Sequence, residues 1–105
     1  KNMLKWTPKS EEDLDAIREH IAKNFNIDLA IQTVDRLVDY VEATLTSTPL
    51  VGSILESNPL FFKLTYKGNS IFYCENPIDK NLYVVYVRPR GTDSQNDRIS
   101  LIEVD

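Results

Sequence analysis

Apolar positions fall into two helical stripes followed by three runs of β-branched and aromatic residues. Leu14, Ile17 and Ile21 recur at spacings of three and four, while Asp15, Arg18, Glu19 and Lys23 fall on the opposite side. This spacing predicts a helix ending near Asn24. Thr7-Pro8 offers an N-cap and a first-turn proline, and Ser10 followed by Asp13 offers a second capping arrangement. The acidic Glu11, Glu12 and Asp13 suit the positive end of the helix dipole. A second helix, from about Asp28 to Leu45, follows the short connection Asn24–Asp28. Ala30, Val34, Leu37, Val38, Val41 and Leu45 form its stripe, and Gln32, Asp35, Arg36, Asp39 and Glu42 point away. So short a link between amphipathic helices predicts an antiparallel helical hairpin.

Upstream, Met3–Trp6 reads as a short strand with Leu4 and Trp6 on one face. Downstream, Thr48-Pro49 ends the second helix, because proline disfavours helical conformation in the residue before it. Residues 50–59 read as an irregular loop lying on the body. Strands are then expected over Leu60–Tyr66, Ser70–Glu75 and Leu82–Arg88, separated by a tight turn at Lys67-Gly68-Asn69 and a looser one at Asn76–Asn81. Alternation in the first of these puts Phe62, Leu64 and Tyr66 on one face and Phe61, Lys63 and Thr65 on the other. The expected fold class is α+β: an N-terminal strand and an antiparallel helical hairpin packed on one face of an antiparallel sheet of three to four strands. Residues 1–105 form a single domain. Within it, residues 91–97 read as a polar linker, Arg98–Val104 as either a further strand or an arm ordered by a partner, and residues 92–105 together as a flexible or partner-ordered tail.

Composition narrows the function classes. The chain has 105 residues, 42% hydrophobic and 27% charged, which is ordinary for a globular domain. No apolar run approaches a membrane span and no signal-peptide pattern opens the chain, so a cytoplasmic location is expected. Lys1 and Asn2, ahead of Met3, read as a processed start. A lone Cys74 makes no internal disulfide. The net charge of −4 argues against non-specific nucleic-acid binding. Its distribution is uneven, however: residues 60–91 carry five basic side chains (Lys63, Lys67, Lys80, Arg88, Arg90) against two acidic ones. The meander is locally basic in an acidic protein, an asymmetry that can steer a partner.

The order strand, helical hairpin, proline-bearing loop and three-strand meander resembles the RelE/ParE superfamily of bacterial toxins, of plasmid-stabilisation type. Leu4-Lys-Trp-Thr-Pro8 followed by Glu12-Asp-Leu-Asp-Ala-Ile17 resembles its strand-to-helix opening. Thr48-Pro49 with Gly52 resembles its post-helix loop, and Ser70-Ile-Phe-Tyr73 and Val84-Val-Tyr-Val-Arg88 its second and third meander strands. The likeness spans about residues 3–91. It implies one of two activities. RelE-like members are ribosome-dependent endoribonucleases that cut messenger RNA, whereas ParE-like members poison DNA gyrase through protein contacts. Both are neutralised by a cognate antitoxin whose extended and helical segment wraps the toxin.

Departures from the family's pattern favour the ParE-like branch. Cys74 stands where many relatives have an Arg directly after the Ile-x-Tyr of the second meander strand, and Arg88-Pro-Arg90-Gly91 stands in place of a His-Gly-Arg-Arg-like end after the last strand. A nuclease of this type needs a base, an acid and cations on the phosphate. Lys63, Arg88 and Arg90 supply cations and Tyr73 or Tyr86 a proton donor, but no base titrating near neutrality stands among them. For the nuclease reading the candidates are Lys63, Tyr86, Arg88 and Arg90. For target binding they are Lys63, Lys67, Tyr73, Arg88 and Arg90. A non-toxic relic that retains antitoxin binding is a third reading.

Each candidate also has a structural explanation. Arg88 and Arg90 fit solubilising charge at a strand exit, Lys63 and Lys67 fit edge lysines that block strand addition, and the tyrosines fit core or rim positions. His20, on the first helix, has no Cys or carboxylate at ligand spacing, so no metal is expected, nor any other cofactor. Cys74 reads as a small buried hydrophobe. Asp35 and Asp39 read as a solvated helix face.

Overall fold

The structure, a computed structural model, describes residues 3–89. A short strand β1 (Leu4–Trp6) leads into α1 (Pro8–Asn24) and α2 (Ile27–Ser47). Four strands follow: β2 (Ser53–Ile54), β3 (Phe62–Tyr66), β4 (Asn69–Glu75) and β5 (Leu82–Arg88). Of the two capping arrangements, Thr7 is the one used: its hydroxyl accepts the Ser10 N–H at 3.1 Å, with Pro8 in the first turn. Ser10 instead lies fully buried and donates its hydroxyl to the Thr7 carbonyl at 2.8 Å. Asn26 caps α2 by accepting the Leu29 N–H at 2.7 Å. Each such cap stabilises its helix by about 1 kcal/mol.

The helical hairpin packs on one face of the sheet. Leu14 and Ile17 of α1 and Val34, Leu37, Val41 and Leu45 of α2 are buried against Leu64, Ile71, Tyr73, Leu82, Val84 and Val87. Leu4 and Trp6 pack on the same cluster, as their shared face requires. Full burial of each such aliphatic side chain stabilises the fold by about 1.5–3 kcal/mol, which outweighs the weak helix propensity of the valines. None of the described helices is long and apolar enough to cross a membrane.

The sheet differs from the expected one in two respects. It has five strands in the order β1-β5-β4-β3-β2, and it is mixed, because β1 runs parallel to β5 with Leu4 opposite Leu82 and Trp6 opposite Val84. The helical hairpin supplies the long crossover that returns the chain to the sheet, and parallel pairing needs such a connection. The extra strand, β2, is two residues of the stretch expected as irregular, paired antiparallel with Phe62 and Lys63. Too short to show alternation, it is held in place from outside: the Gly52 N–H donates to the Tyr73 hydroxyl at 2.9 Å. The tight turn is a two-residue hairpin, with Tyr66 opposite Asn69. Lys67 (φ 49°) and Gly68 (φ 85°) both take the left-handed conformation that its twist demands. The proposed strand or arm at Arg98–Val104 lies outside the described residues.

Candidate functional site

The face of the sheet turned away from the helices collects cations over an aromatic floor. In β3 and β4, simple alternation decides which residues face outward. Lys63 stands opposite Phe72, and Thr65 opposite Ser70. In β5 alternation is broken. Phe72 pairs with Tyr86 and Tyr73 with Val84, which leaves Val85 as the extra residue of a β-bulge. Leu82, Val84 and Val87 therefore face the core, whereas Val85 and Tyr86 join Phe61 and Phe72 in a second apolar cluster on the outer face. Strict alternation would have put Tyr86 and Arg88 on the same side as Leu82 and Val84, towards the helices. The bulge turns them outward into register with Lys63.

Two neighbouring rows result across the sheet: Lys63, Phe72 and Tyr86 in one, Thr65, Ser70 and Arg88 in the next. The Arg88 guanidinium carbon lies 5.2 Å from the Tyr86 ring centroid and the Lys63 Nζ 5.8 Å from that of Phe72. A third cation arrives from the helical layer. Lys9, in the first turn of α1, places its Nζ 5.5 Å from the Tyr86 centroid and 2.6 Å from Asp13 Oδ1. The other Asp13 oxygen accepts the Val87 N–H at 3.0 Å. One carboxylate thus orients Lys9 and satisfies a β5 amide beyond the reach of the three-residue β1. Lys9 was not among the sequence candidates; its position as the second residue of the helix gives no sign that it reaches the sheet's outer face.

The other candidates are distributed elsewhere. Lys67 lies over Tyr66 at 5.6 Å, and Tyr66 belongs to the helix side, stacked on Tyr40 with centroids 4.5 Å apart. Tyr73 is fully buried on the core face, stacked on Phe62, and burial raises its hydroxyl pKa despite the Gly52 hydrogen bond. It presents nothing to a partner, because the side of β4 it occupies is the one the helices cover. Tyr86 shows only 6% of its surface and acts as the floor beneath Lys9 and Arg88. Arg90 lies outside the described residues. Cys74 is half-buried at the edge of the outer apolar cluster, and burial pushes its thiol pKa up, away from nucleophile chemistry.

The two rows contain cations, hydroxyls and aromatic rings, the chemistry of an anion-recognising surface. Neither row holds a carboxylate or an imidazole. His20 is exposed on α1 and lines a groove of about 380 Å³ with Asp13, Ala16, Ile17, Val87, Arg88 and Pro89. Among the described residues no cluster of His, Cys, Asp or Glu is arranged to hold a metal.

Residues 4–94 match the family model of the ParE toxin of the type II toxin–antitoxin system, parDE. Among solved structures, a chain of the chromosomal ParDE system of P. aeruginosa is 25% identical, with a TM-score of 0.75 over 85% of this chain and 96% of that one. A chain of the RelBE2 toxin–antitoxin complex of Mycobacterium tuberculosis is 16% identical, with a TM-score of 0.64 over 87% and 93% of the two chains. The isolated E. coli RelE toxin is 11% identical, with a TM-score of 0.60 over 97% and 99%. The last two share the fold. A search of curated protein sequences returns no match. The expected likeness to the superfamily is therefore found on its ParE side: the chain belongs to the ParE toxin family of type II toxin–antitoxin systems.

Proposed function

We propose that this toxin acts as the ParE-like branch does, by binding a protein target such as DNA gyrase, and that a cognate antitoxin neutralises it. The observation that carries the reading is the make-up of the outer face. Lys9, Lys63 and Arg88 surround Phe72 and Tyr86, a combination suited to gripping acidic side chains of a partner. Proton transfer from a ribose hydroxyl calls for a base poised near neutrality, and the two rows offer none. Solved relatives occur within a ParDE system and within a RelBE2 complex, which supports an antitoxin as a partner.

A second reading is a RelE-like, ribosome-dependent messenger RNA endoribonuclease using Lys63, Tyr86, Arg88 and Arg90. The placement of Arg88 over Tyr86, in one row with Phe72 and Lys63, favours it, since the same cations suit a phosphodiester. Induced expression separates the readings. Growth arrest with intact ribosome-bound messages by primer extension, relieved by co-expressing the antitoxin, is the expected result. Discrete cleavage within codons, lost when Arg88 is replaced by alanine, would overturn it in favour of the nuclease. Absence of arrest would overturn both and leave a relic that only binds antitoxin.

A further inference from the structure

Beside its cations the outer sheet face has an apolar cavity of about 540 Å³. Phe61 and Val85, 5% and 9% exposed, form its base, and Cys74 packs against them. Leu60 and Ile78 line its rim and are 76% and 90% exposed. The exposure of Ile78 is built into a tied loop. Its N–H donates to Asn76 Oδ1 at 2.8 Å. The Lys80 N–H reaches the Asn76 carbonyl at 2.8 Å, and the Asn76 N–H reaches the Asn81 carbonyl at 2.9 Å. Asp79, bound to Tyr83, fastens the same loop to β5. An apolar base with an apolar rim held open in this way fits a large side chain of another molecule.

The charge beyond the cavity lies to one side. Cys74 and Phe72 are two residues apart on β4, so the row of Lys63, Phe72 and Tyr86 lies about 7 Å from the cavity. The row that holds Arg88 lies about as far again. Glu75, the last residue of β4, lines the opposite end. A ligand that spans these parts needs one large apolar group with carboxylates about 7 and about 14 Å to one side of it. In an extended peptide alternate side chains share a face, so these are the second and fourth residues from the apolar one. We propose that the cavity receives a large apolar side chain, such as phenylalanine, from an extended acidic segment of the protein target. Carboxylates at the second and fourth positions from that anchor meet Lys63 and Arg88. This inference rests on the target-binding reading above and adds to it the anchor and the spacing.

The test uses two synthetic peptides, Gly-Phe-Gly-Glu-Gly-Glu-Gly and its reverse sequence, since either chain direction presents the same spacing. Amide shifts of the isotope-labelled protein locate binding, and their titration gives the affinity. Saturable shifts at Lys63, Cys74 and Ile78 are expected with one of the two peptides. The affinity falls about tenfold or more in K63Q/R88Q and in Leu60→Ser/Ile78→Ser, whose altered apolar residues are both exposed. Replacing both peptide glutamates by glutamine weakens binding as much. Leu60→Ser/Ile78→Ser also weakens inhibition of DNA gyrase, with circular dichroism unchanged. Failure of both peptides to bind overturns the proposal, as does equal binding of the glutamine peptide, which would leave a plain apolar pocket. So does concentration-dependent dimerisation abolished by Leu60→Ser/Ile78→Ser, which would give the cavity to a second copy of this chain. Gyrase inhibition lost in K63Q/R88Q but intact in Leu60→Ser/Ile78→Ser overturns the anchor and leaves the target-binding reading standing. Inhibition intact in both variants overturns the two together.

Discussion

A Cβ placed at Gly52 would lie 2.8 Å from both the Lys63 carbonyl oxygen and the Tyr73 hydroxyl. The loop after α2 can approach β3 only because this residue has no side chain, and the approach brings the Gly52 N–H onto Tyr73. Gly52→Ala is expected to destabilise the fold by about 1–3 kcal/mol through this collision. Tyr73→Phe, which leaves the amide without its acceptor, should cost about 1–3 kcal/mol. Urea unfolding checks both, and a change in either smaller than about 0.5 kcal/mol, typical of a surface substitution, would contradict the latch. A second residue pair sets a pH dependence. The Tyr83 hydroxyl donates to Asp79 Oδ2 at 2.5 Å. The bond holds the Asp79 carboxyl below its ordinary 3.8 and the Tyr83 hydroxyl above its ordinary 10.0. A depressed carboxylate contributes stability above its unfolded pKa and loses it as the pH falls through the folded value. A raised tyrosine contributes stability below its unfolded pKa and loses it as the pH rises through the folded value. The stability difference between the parent and Tyr83→Phe should therefore be largest between about pH 5 and pH 9 and shrink at both extremes. Thermal melts from about pH 3 to about pH 11 measure it, and a difference that stays flat to both ends would contradict the assignment.

At the scale of elements, the helices were legible in the sequence and the sheet only partly so. The stripes of α1 and α2, the Thr7 cap and the Lys67-Gly68 turn are local signals: each is determined by residues within one or two turns of chain. Strand β5 was found with its exact bounds, yet the bulge at Val85 was not. Val84-Val85-Tyr86-Val87 reads as uninterrupted strand, and only pairing with β4 shows which residue is extra. This one residue decides that Tyr86 and Arg88 face Lys63, so the candidate site could be listed from the sequence but not assembled. The parallel β1–β5 pairing and the reach of Lys9 were hidden for the same reason, since both join residues nearly 80 positions apart. Asp13 makes this helix-to-sheet join testable. Asp13→Ala strands the part-buried Val87 N–H and should destabilise by about 1–3 kcal/mol. Asp13→Asn keeps an acceptor for Val87 but removes the charge beside Lys9, and should recover most of that loss. Hydrogen exchange at the Val87 amide would show it directly, and equal protection in both variants would contradict the capping role.

Across the whole molecule, the net charge of −4 conceals two faces of opposite character. Cations gather over aromatic rings on the outer sheet, and carboxylates line the outer helices. A local excess of one sign on a face can steer and orient a partner of the opposite sign. Supercoiling of relaxed plasmid by purified DNA gyrase, with increasing amounts of this protein, tests the binding account most directly. The account predicts saturable inhibition that weakens about tenfold or more when Lys63 and Arg88 are both replaced by glutamine, with circular dichroism unchanged. Full supercoiling at large excess of a protein that still arrests growth would contradict it.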